Sequence, residues 1–179
     1  VINPTTEKLE ACFMLVYSDD NMFGGEDYAF TKLQEMLKTK FAITFEECAD
    51  FLGTDLHHDV EEGTFEISMK TFTKKFLESC GITTPFPHPI LTPALTNMKI
   101  SRSEDAPRAS TPDPSYRMKA GSFNWLVMAL RYDMNYATKE LSRVADCPTL
   151  DAEYLINRQL QYLSQTADAR LRYSRHDMQ

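Results

Sequence analysis

The sequence has 179 residues, 42% of them hydrophobic and 25% charged, enough to bury a core and too mixed for a disordered, collagen-like or coiled-coil chain. It carries 26 acidic against 19 basic side chains, a formal net charge of −7, which on electrostatic grounds argues against nucleic-acid binding. No apolar run approaches the roughly 18–20 residues needed to cross a bilayer, and Val1 to Glu10 lacks the basic start and apolar core of a secretory signal.

Ala11 to Val16 is a continuous apolar run, the pattern of a strand buried on both faces. Tyr17-Ser18-Asp19-Asp20-Asn21 supplies turn chemistry, and Met22 and Phe23 resume apolar character before Gly24-Gly25. The segment predicts a β-hairpin with the two aspartates at its tip. A helix follows. Glu26 and Asp27 favour its positive end, Phe30, Leu33 and Leu37 recur at helical spacing beside Met36, and Lys38 and Lys40 close its last turn. Phe51 to Leu56 and Phe65 to Ser68 predict short strands around the polar turn Asp59 to Gly63. A second helix is expected from about Ser68 to Cys80, with Met69, Phe72, Phe76 and Leu77 on one face and Gly81 as its stop.

Seven of the nine prolines lie between Pro85 and Pro114, among Ser101, Ser103, Ser110 and Thr111 and with little hydrophobic periodicity. That stretch reads as a long exposed connection, and it divides the chain into residues 1–82, a connection over 83–115, and residues 116–179. The last region is helical in pattern. Phe123, Leu126, Val127 and Leu130 make one face, Asp133 is placed to cap a helix running to about Arg143, and Thr149 to cap another. Ala152, Leu155, Ile156, Leu160 and Leu163 form the apolar face of that last helix, and Leu171 and Tyr173 predict a strand. Charge is uneven. Residues 1–100 hold 8 basic and 16 acidic side chains, a net −8, whereas residues 101–179 hold 11 and 10, a net +1, with the arginines concentrated there. The four cysteines, Cys12, Cys48, Cys80 and Cys147, are widely spaced in apolar-leaning segments and are expected to be buried free thiols of a reducing compartment.

Asp19 and Asp20 are the sharpest chemical feature. Adjacent carboxylates at a hairpin tip repel each other, and a divalent cation removes that cost. Mg²⁺ favours one or two carboxylates plus substrate phosphates, and paired metals serve phosphoryl transfer by activating one oxygen and stabilising the leaving one. Taken alone, two acids in a turn are a commonplace solvated feature. A calcium loop beginning at Asp19 fails at Phe23, which cannot ligate, and at Phe30, where a bidentate Glu is needed.

The context changes the odds. An apolar strand, Tyr17-Ser18-Asp19-Asp20, an amphipathic helix and then Phe51-Leu52-Gly53-Thr54-Asp55-Leu56 resemble the reverse transcriptases of copia-type LTR retrotransposons, whose tip reads Tyr-Val-Asp-Asp and whose later hairpin begins Phe-Leu-Gly-Ile before an acid. Tyr116-Arg117, Gly121-Ser122 and Trp125-Leu126 are similar to the family's Tyr-Arg…Gly-Ser-Leu…Tyr-Leu block. Arg131, Asp133 and Leu141-Ser142-Arg143 are similar to its Thr-Arg-Pro-Asp-Ile…Leu-Ser-Arg block, and Pro148, Arg158, Tyr162-Leu163 and Thr166 to its Pro…Arg-x-Leu-Arg-Tyr-Leu…Thr block. The likeness runs in unbroken order over roughly residues 11 to 173.

The resemblance implies an α+β fold: antiparallel hairpins of a polymerase palm with helices over residues 1–82, the connection 83–115, and over 116–179 a small helical thumb lobe with the start of the link to a ribonuclease H domain. It implies an RNA-directed DNA polymerase. Asp19 and Asp20 would hold catalytic Mg²⁺, with Mn²⁺ as the alternative. Phe51, Leu52, Gly53, Thr54, Asp55 and Leu56 would form the primer grip, and Tyr17, Arg131 and Arg158 would contact nucleic acid. Its partners would be an RNA or DNA template with primer, deoxynucleoside triphosphates, and the fingers, remaining palm and ribonuclease H regions of the same polyprotein. The setting would be cytoplasmic, within a virus-like particle, and involve no membrane. The family's first catalytic aspartate lies on a strand upstream of the hairpin, and no such strand precedes Ala11, so the chain alone is expected to be inactive.

This sequence also departs from the family. Ser18 stands in place of Val, Thr44 falls where a Lys-Asp-Leu-Gly element is absent, Tyr132 replaces Pro and Ala152 replaces His. The departures at Thr44, Tyr132 and Ala152 favour a rival reading, a domesticated or decayed fragment acting as a non-catalytic interaction or structural module. Other candidates are weaker. His57 and His58, adjacent on a strand, point to opposite faces and rarely share one ion, and His176 has no Ser or Cys partner for a hydrolase triad.

Overall fold

The computed structural model describes residues 1–84, 86–108 and 113–175, so the expectations on Ser110, Thr111 and His176 lie outside the described residues. The described chain is α+β, with antiparallel strands and five α-helices, and it divides into two compact units, Val1–Leu52 and Gly53–Gln179.

In the first unit β1 (Cys12–Tyr17) and β2 (Asp20–Gly25) pair antiparallel, from Cys12 opposite Gly25 to Tyr17 opposite Asp20. Ser18 and Asp19 make the two-residue turn, with Ser18 in the left-handed region at φ 54°. Gly24 stands opposite Phe13, whose ring lies over the space a Cβ would fill. Helix α1 (Asp27–Lys38) follows, with Asp27 in its first turn and Lys38 in its last. Its N-terminus is tied down from outside the helix: Glu10 Oε2 accepts from the Tyr28 N–H at 3.1 Å, while Glu26 Oε2 accepts from the Ala11 N–H at 2.7 Å. Phe23, Phe30 and Phe45 form a ring cluster with centroids 5.4–6.2 Å apart. A two-residue strand, β3 (Asp50–Phe51), ends the unit.

The apolar run of β1 is not buried on both faces. Phe13, Leu15 and Tyr17, which share one face by register, are 59%, 48% and 61% exposed. The ribbon has two strands and α1 packs against it from one side, where Cys12 Sγ meets the Ala29 carbonyl. An apolar strand states what it would bury, not that a neighbour covers it.

In the second unit β4 (Thr54–Asp59), β5 (Thr64–Ser68) and β6 (Arg170–Ser174) form antiparallel neighbours, with His57 opposite Glu66 and Glu66 opposite Arg172. Helix α2 (Lys70–Ser79) ends as expected at Gly81, where φ is 75°. The Ile82 N–H reaches the Leu77 carbonyl and the Gly81 N–H the Glu78 carbonyl, the two bonds of a Schellman stop. Helices α3 (Tyr116–Ala129), α4 (Asn135–Ser142, entered through a 3₁₀ turn over Tyr132–Met134) and α5 (Leu150–Gln165) complete the unit. Thr149 caps α5 as expected, its hydroxyl accepting from the Ala152 N–H at 3.3 Å. Asp133 does not cap α4, because its carboxylate is drawn to Arg131 and Tyr162.

The proline-rich connection does not separate compact units, which part instead between Leu52 and Gly53. Met69, Phe76 and Leu77 share one core with Phe123, Leu126, Leu141, Leu155 and Leu163, and Ile100 of the connection is buried within it. Far from floating in solvent, the connection is laced to the helices. Gln165 bonds the backbone at Phe86, His88 and Ile90, Arg158 reaches Thr92, and Tyr136 the Met98 carbonyl. Glu140 Oε2 accepts from the buried Ile100 N–H at 3.0 Å, and the Pro107 carbonyl accepts from the Leu150 N–H.

Candidate functional site

Asp19 and Asp20 sit where the hairpin pattern puts them, one in the turn and one at the first position of β2, both exposed. The tip opens on a cleft of about 600 Å³ lined also by Asn21, Phe23, Phe30, Phe45, Glu46, Glu47, Asp50 and Phe51. Phe51, expected in the primer grip, therefore lines the same cleft as the aspartate pair. The cleft carries five carboxylates, and no Lys or Arg is among the residues that line it.

Glu46, Glu47 and Asp50 are not singled out by the sequence, and Asn21 only as part of the turn. Asn21 directly follows the aspartate pair, and Glu46-Glu47 is an acidic doublet, but nothing periodic places a loop over a hairpin tip. Asn21 Oδ1 is shut off from solvent and accepts no hydrogen bond. The donor set at the tip is all oxygen, which suits a hard cation that takes one or two carboxylates and completes its shell with water and phosphate. Among the described residues no group of three or more His, Cys, Asp or Glu side chains is placed to hold a metal ion by itself.

The segment Phe51 to Leu56 is not one strand. Leu52 and Gly53 take φ 51° and 76°, so a turn stands between Phe51 and Thr54. Within the second unit, a Cβ on Gly53 would lie 3.7 Å from Trp125 Nε1. Asp55 is committed to the fold. Its Oδ2 accepts from the Thr71 N–H at 3.0 Å and from the Ser68 hydroxyl at 3.3 Å, anchoring the start of α2 to β4. Burial pushes its carboxyl up, but the bonds from Thr71 and Ser68 outweigh that and hold it below the ordinary range.

The three residues expected to touch nucleic acid differ. Tyr17 is exposed next to the tip. Arg131 faces inward and is 4% exposed. Its Nε and Nη2 hold the two Asp133 oxygens at 3.0 and 2.8 Å, Nη1 and Nη2 also reach the Thr166 carbonyl and hydroxyl, and the Tyr162 ring lies 5.6 Å from its guanidinium carbon. Tyr162 donates to Asp133 Oδ2 at 2.8 Å, which closes the network. Four residues of two separate sequence blocks thus converge on a structural ion pair. Arg158 directs Nη2 to Thr92 Oγ1 at 3.1 Å.

Several further arginines of this unit are engaged as well. Arg143 pairs with Glu140, Arg170 with Glu66, and Arg172 with Glu62 and Glu66, while Arg117 bonds the Ala145 carbonyl. His57 and His58 are exposed on successive positions of β4, with His58 edge-on to Phe65. No helix among the described residues is long and apolar enough to cross a membrane. No protein-family model matches the chain, and no solved structure matches it.

Proposed function

We propose that this chain is part of a copia-type retrotransposon reverse transcriptase, an RNA-directed DNA polymerase that adds deoxynucleotides to a primer on an RNA or DNA template. The observation that carries the reading is the Asp19–Asp20 pair, exposed at the tip of an apolar two-stranded hairpin and opening on a cleft that Phe51 also lines. The ordered sequence blocks support it. On this reading residues 1–82 belong to the palm and 116–179 to the thumb, with the connection between them.

Asp19 and Asp20, with the partnerless Asn21 Oδ1 beside them, fit Mg²⁺ or Mn²⁺. When bound there, divalent cations supply the activation of a primer 3′-hydroxyl and the neutralisation of the departing pyrophosphate. The protein's own part is positioning. The turn at Ser18 and Asp19 presents both carboxylates outward, and Phe51 gives the cleft an apolar wall against which a sugar or base can rest.

The test is Mn²⁺ titration followed by paramagnetic broadening of backbone amide signals. Signals of Asp19, Asp20 and Asn21 should broaden first, and Asp19→Asn with Asp20→Asn should abolish the effect. Broadening elsewhere, unchanged in the double variant, removes the reading. Alone, the chain should not extend a primer, and extension abolished by Asp19→Asn would overturn that part.

The rival, a non-catalytic interaction module, is favoured by the cleft's lack of a basic residue for a triphosphate. Ala152 adds to it, since the position that carries His in the family is here wholly buried on α5. Mg²⁺-dependent binding of a deoxynucleoside triphosphate speaks for the polymerase, and metal binding without nucleotide binding for the module.

A further inference from the structure

We propose that Thr92 is a phosphorylation site whose phosphate is received by Arg158. Thr92 is exposed and lies in the connection, where no helix or strand is described between Ser79 and Tyr116. Pro93 follows it, and Thr-Pro is the pair that proline-directed Ser/Thr kinases act on. The proline also biases Thr92 toward extended backbone, the form in which a kinase cleft reads a peptide.

The receiving group is already in place. Thr92 Oγ1 accepts from Arg158 Nη2 at 3.1 Å and donates to the Ala94 carbonyl at 2.8 Å. Arg158 Nε shares the guanidinium edge with Nη2, is closed to solvent and has no acceptor. Arg131 displays the completed version of the same fork, with Nε at 3.0 Å and Nη2 at 2.8 Å on the two oxygens of Asp133. Arg158 thus holds half of such a pairing, on a hydroxyl where the other arginine holds a carboxylate. A phosphate on Oγ1 would bring three acceptor oxygens and nearly two negative charges to that edge.

In the transfer, Thr92 Oγ1 forms a bond to the γ-phosphorus of a nucleoside triphosphate bound by the kinase. The bond from that phosphorus to the β-phosphate oxygen breaks, a nucleoside diphosphate leaves, and the hydroxyl proton passes to the kinase's base. The donor bond to Ala94 is lost, and a charge-assisted clamp between the connection and α5 replaces it. That clamp would add to the ties Gln165 already makes at Phe86, His88 and Ile90. The inference stands whether or not the chain serves a polymerase.

The experiment treats the full chain with a proline-directed kinase and ATP and maps the phosphate by mass spectrometry, since Thr84-Pro85 and Thr111-Pro112 offer the same pair. Phosphate is expected on Thr92. Chymotryptic cleavage at the exposed Leu91 and Leu95 should then slow roughly fivefold, and Arg158→Gln should remove the slowing. A second readout needs no variant: by ³¹P NMR the phosphate's second pKa should fall roughly one unit below that of a free phosphopeptide of the same segment. Three outcomes overturn the proposal: no phosphate on Thr92 from a kinase that modifies the peptide, cleavage unchanged by phosphorylation, or a peptide-like titration.

Discussion

Arg131 carries a full charge at 4% exposure, and its guanidinium donors are met by Asp133 and Thr166. Its value to the fold is conditional, because removing one partner of a buried pair leaves the other's charge uncompensated. Asp133 keeps 41% of its side-chain surface, so that residual cost sits at the low end of the usual range. Arg131→Ala should lower unfolding free energy by about 3 kcal/mol, read by urea denaturation. Arg131→Lys should recover only a minor part, since an ammonium is a point charge that cannot span both Asp133 oxygens. Tyr162→Phe, which removes one donor to Asp133, should cost about 1 kcal/mol. A lysine variant as stable as the parent would mean that charge alone, not the fork, holds this corner. Ser18 makes a related point from the opposite direction: at φ 54° it holds a conformation that a β-branched Val in its place would adopt at greater steric cost.

Three of the helix starts are secured by carboxylates from outside the helix. Glu10 does this for α1 and Asp55 for α2, and Asp113 holds the approach to α3 by accepting from the Ser115 N–H and hydroxyl and from Lys119 Nζ. Burial pushes the Asp113 carboxyl up, but the bonds from Lys119 and Ser115 prevail and bring it down from 3.8 to about 2. Because the folded pKa lies below the unfolded one, the contribution is full above about pH 4 and is lost as pH falls toward 2. Asp113→Asn should therefore lower stability at pH 6, and the gap from the parent should close on acidification to pH 2. A gap independent of pH would assign the loss to geometry rather than charge.

These anchors also mark what the sequence could and could not disclose. The apolar face of α5, its Thr149 cap, the Gly81 stop and the hairpin tip all rest on neighbours within one turn or one reversal, and each stands where periodicity and turn chemistry put it. Asp55 meets Thr71 across 16 residues and Glu140 meets Ile100 across 40, and no local pattern encodes such a pairing. For the same reason the prolines read as a loose linker, though side chains of α4 and α5 hold that segment down. The aspartate pair was legible; the loop that brings Glu46, Glu47 and Asp50 to the same cleft was not.

At the scale of the whole molecule the question is whether a net charge of −7 is compatible with a nucleic-acid partner. The +1 balance of residues 101–179 made that region the natural phosphate binder, yet Arg131, Arg143, Arg170 and Arg172 are each paired with a carboxylate of the chain. A phosphate would have to displace those partners, so few counterions should be released on binding. If the proposed polymerase reading holds, primer–template duplex should bind this chain weakly, with log K falling against log salt at a slope of only about −2. Without divalent cations, the paired change Asp19→Asn and Asp20→Asn should tighten binding, because two repelling charges are removed from the tip. With Mg²⁺ present the order should reverse, since the parent alone can bridge its carboxylates to phosphate through the cation. Fluorescence anisotropy across a salt series, with and without Mg²⁺, measures all three quantities. A slope of −6 or steeper would require about six or more neutralised phosphates, more than these internally paired arginines can supply.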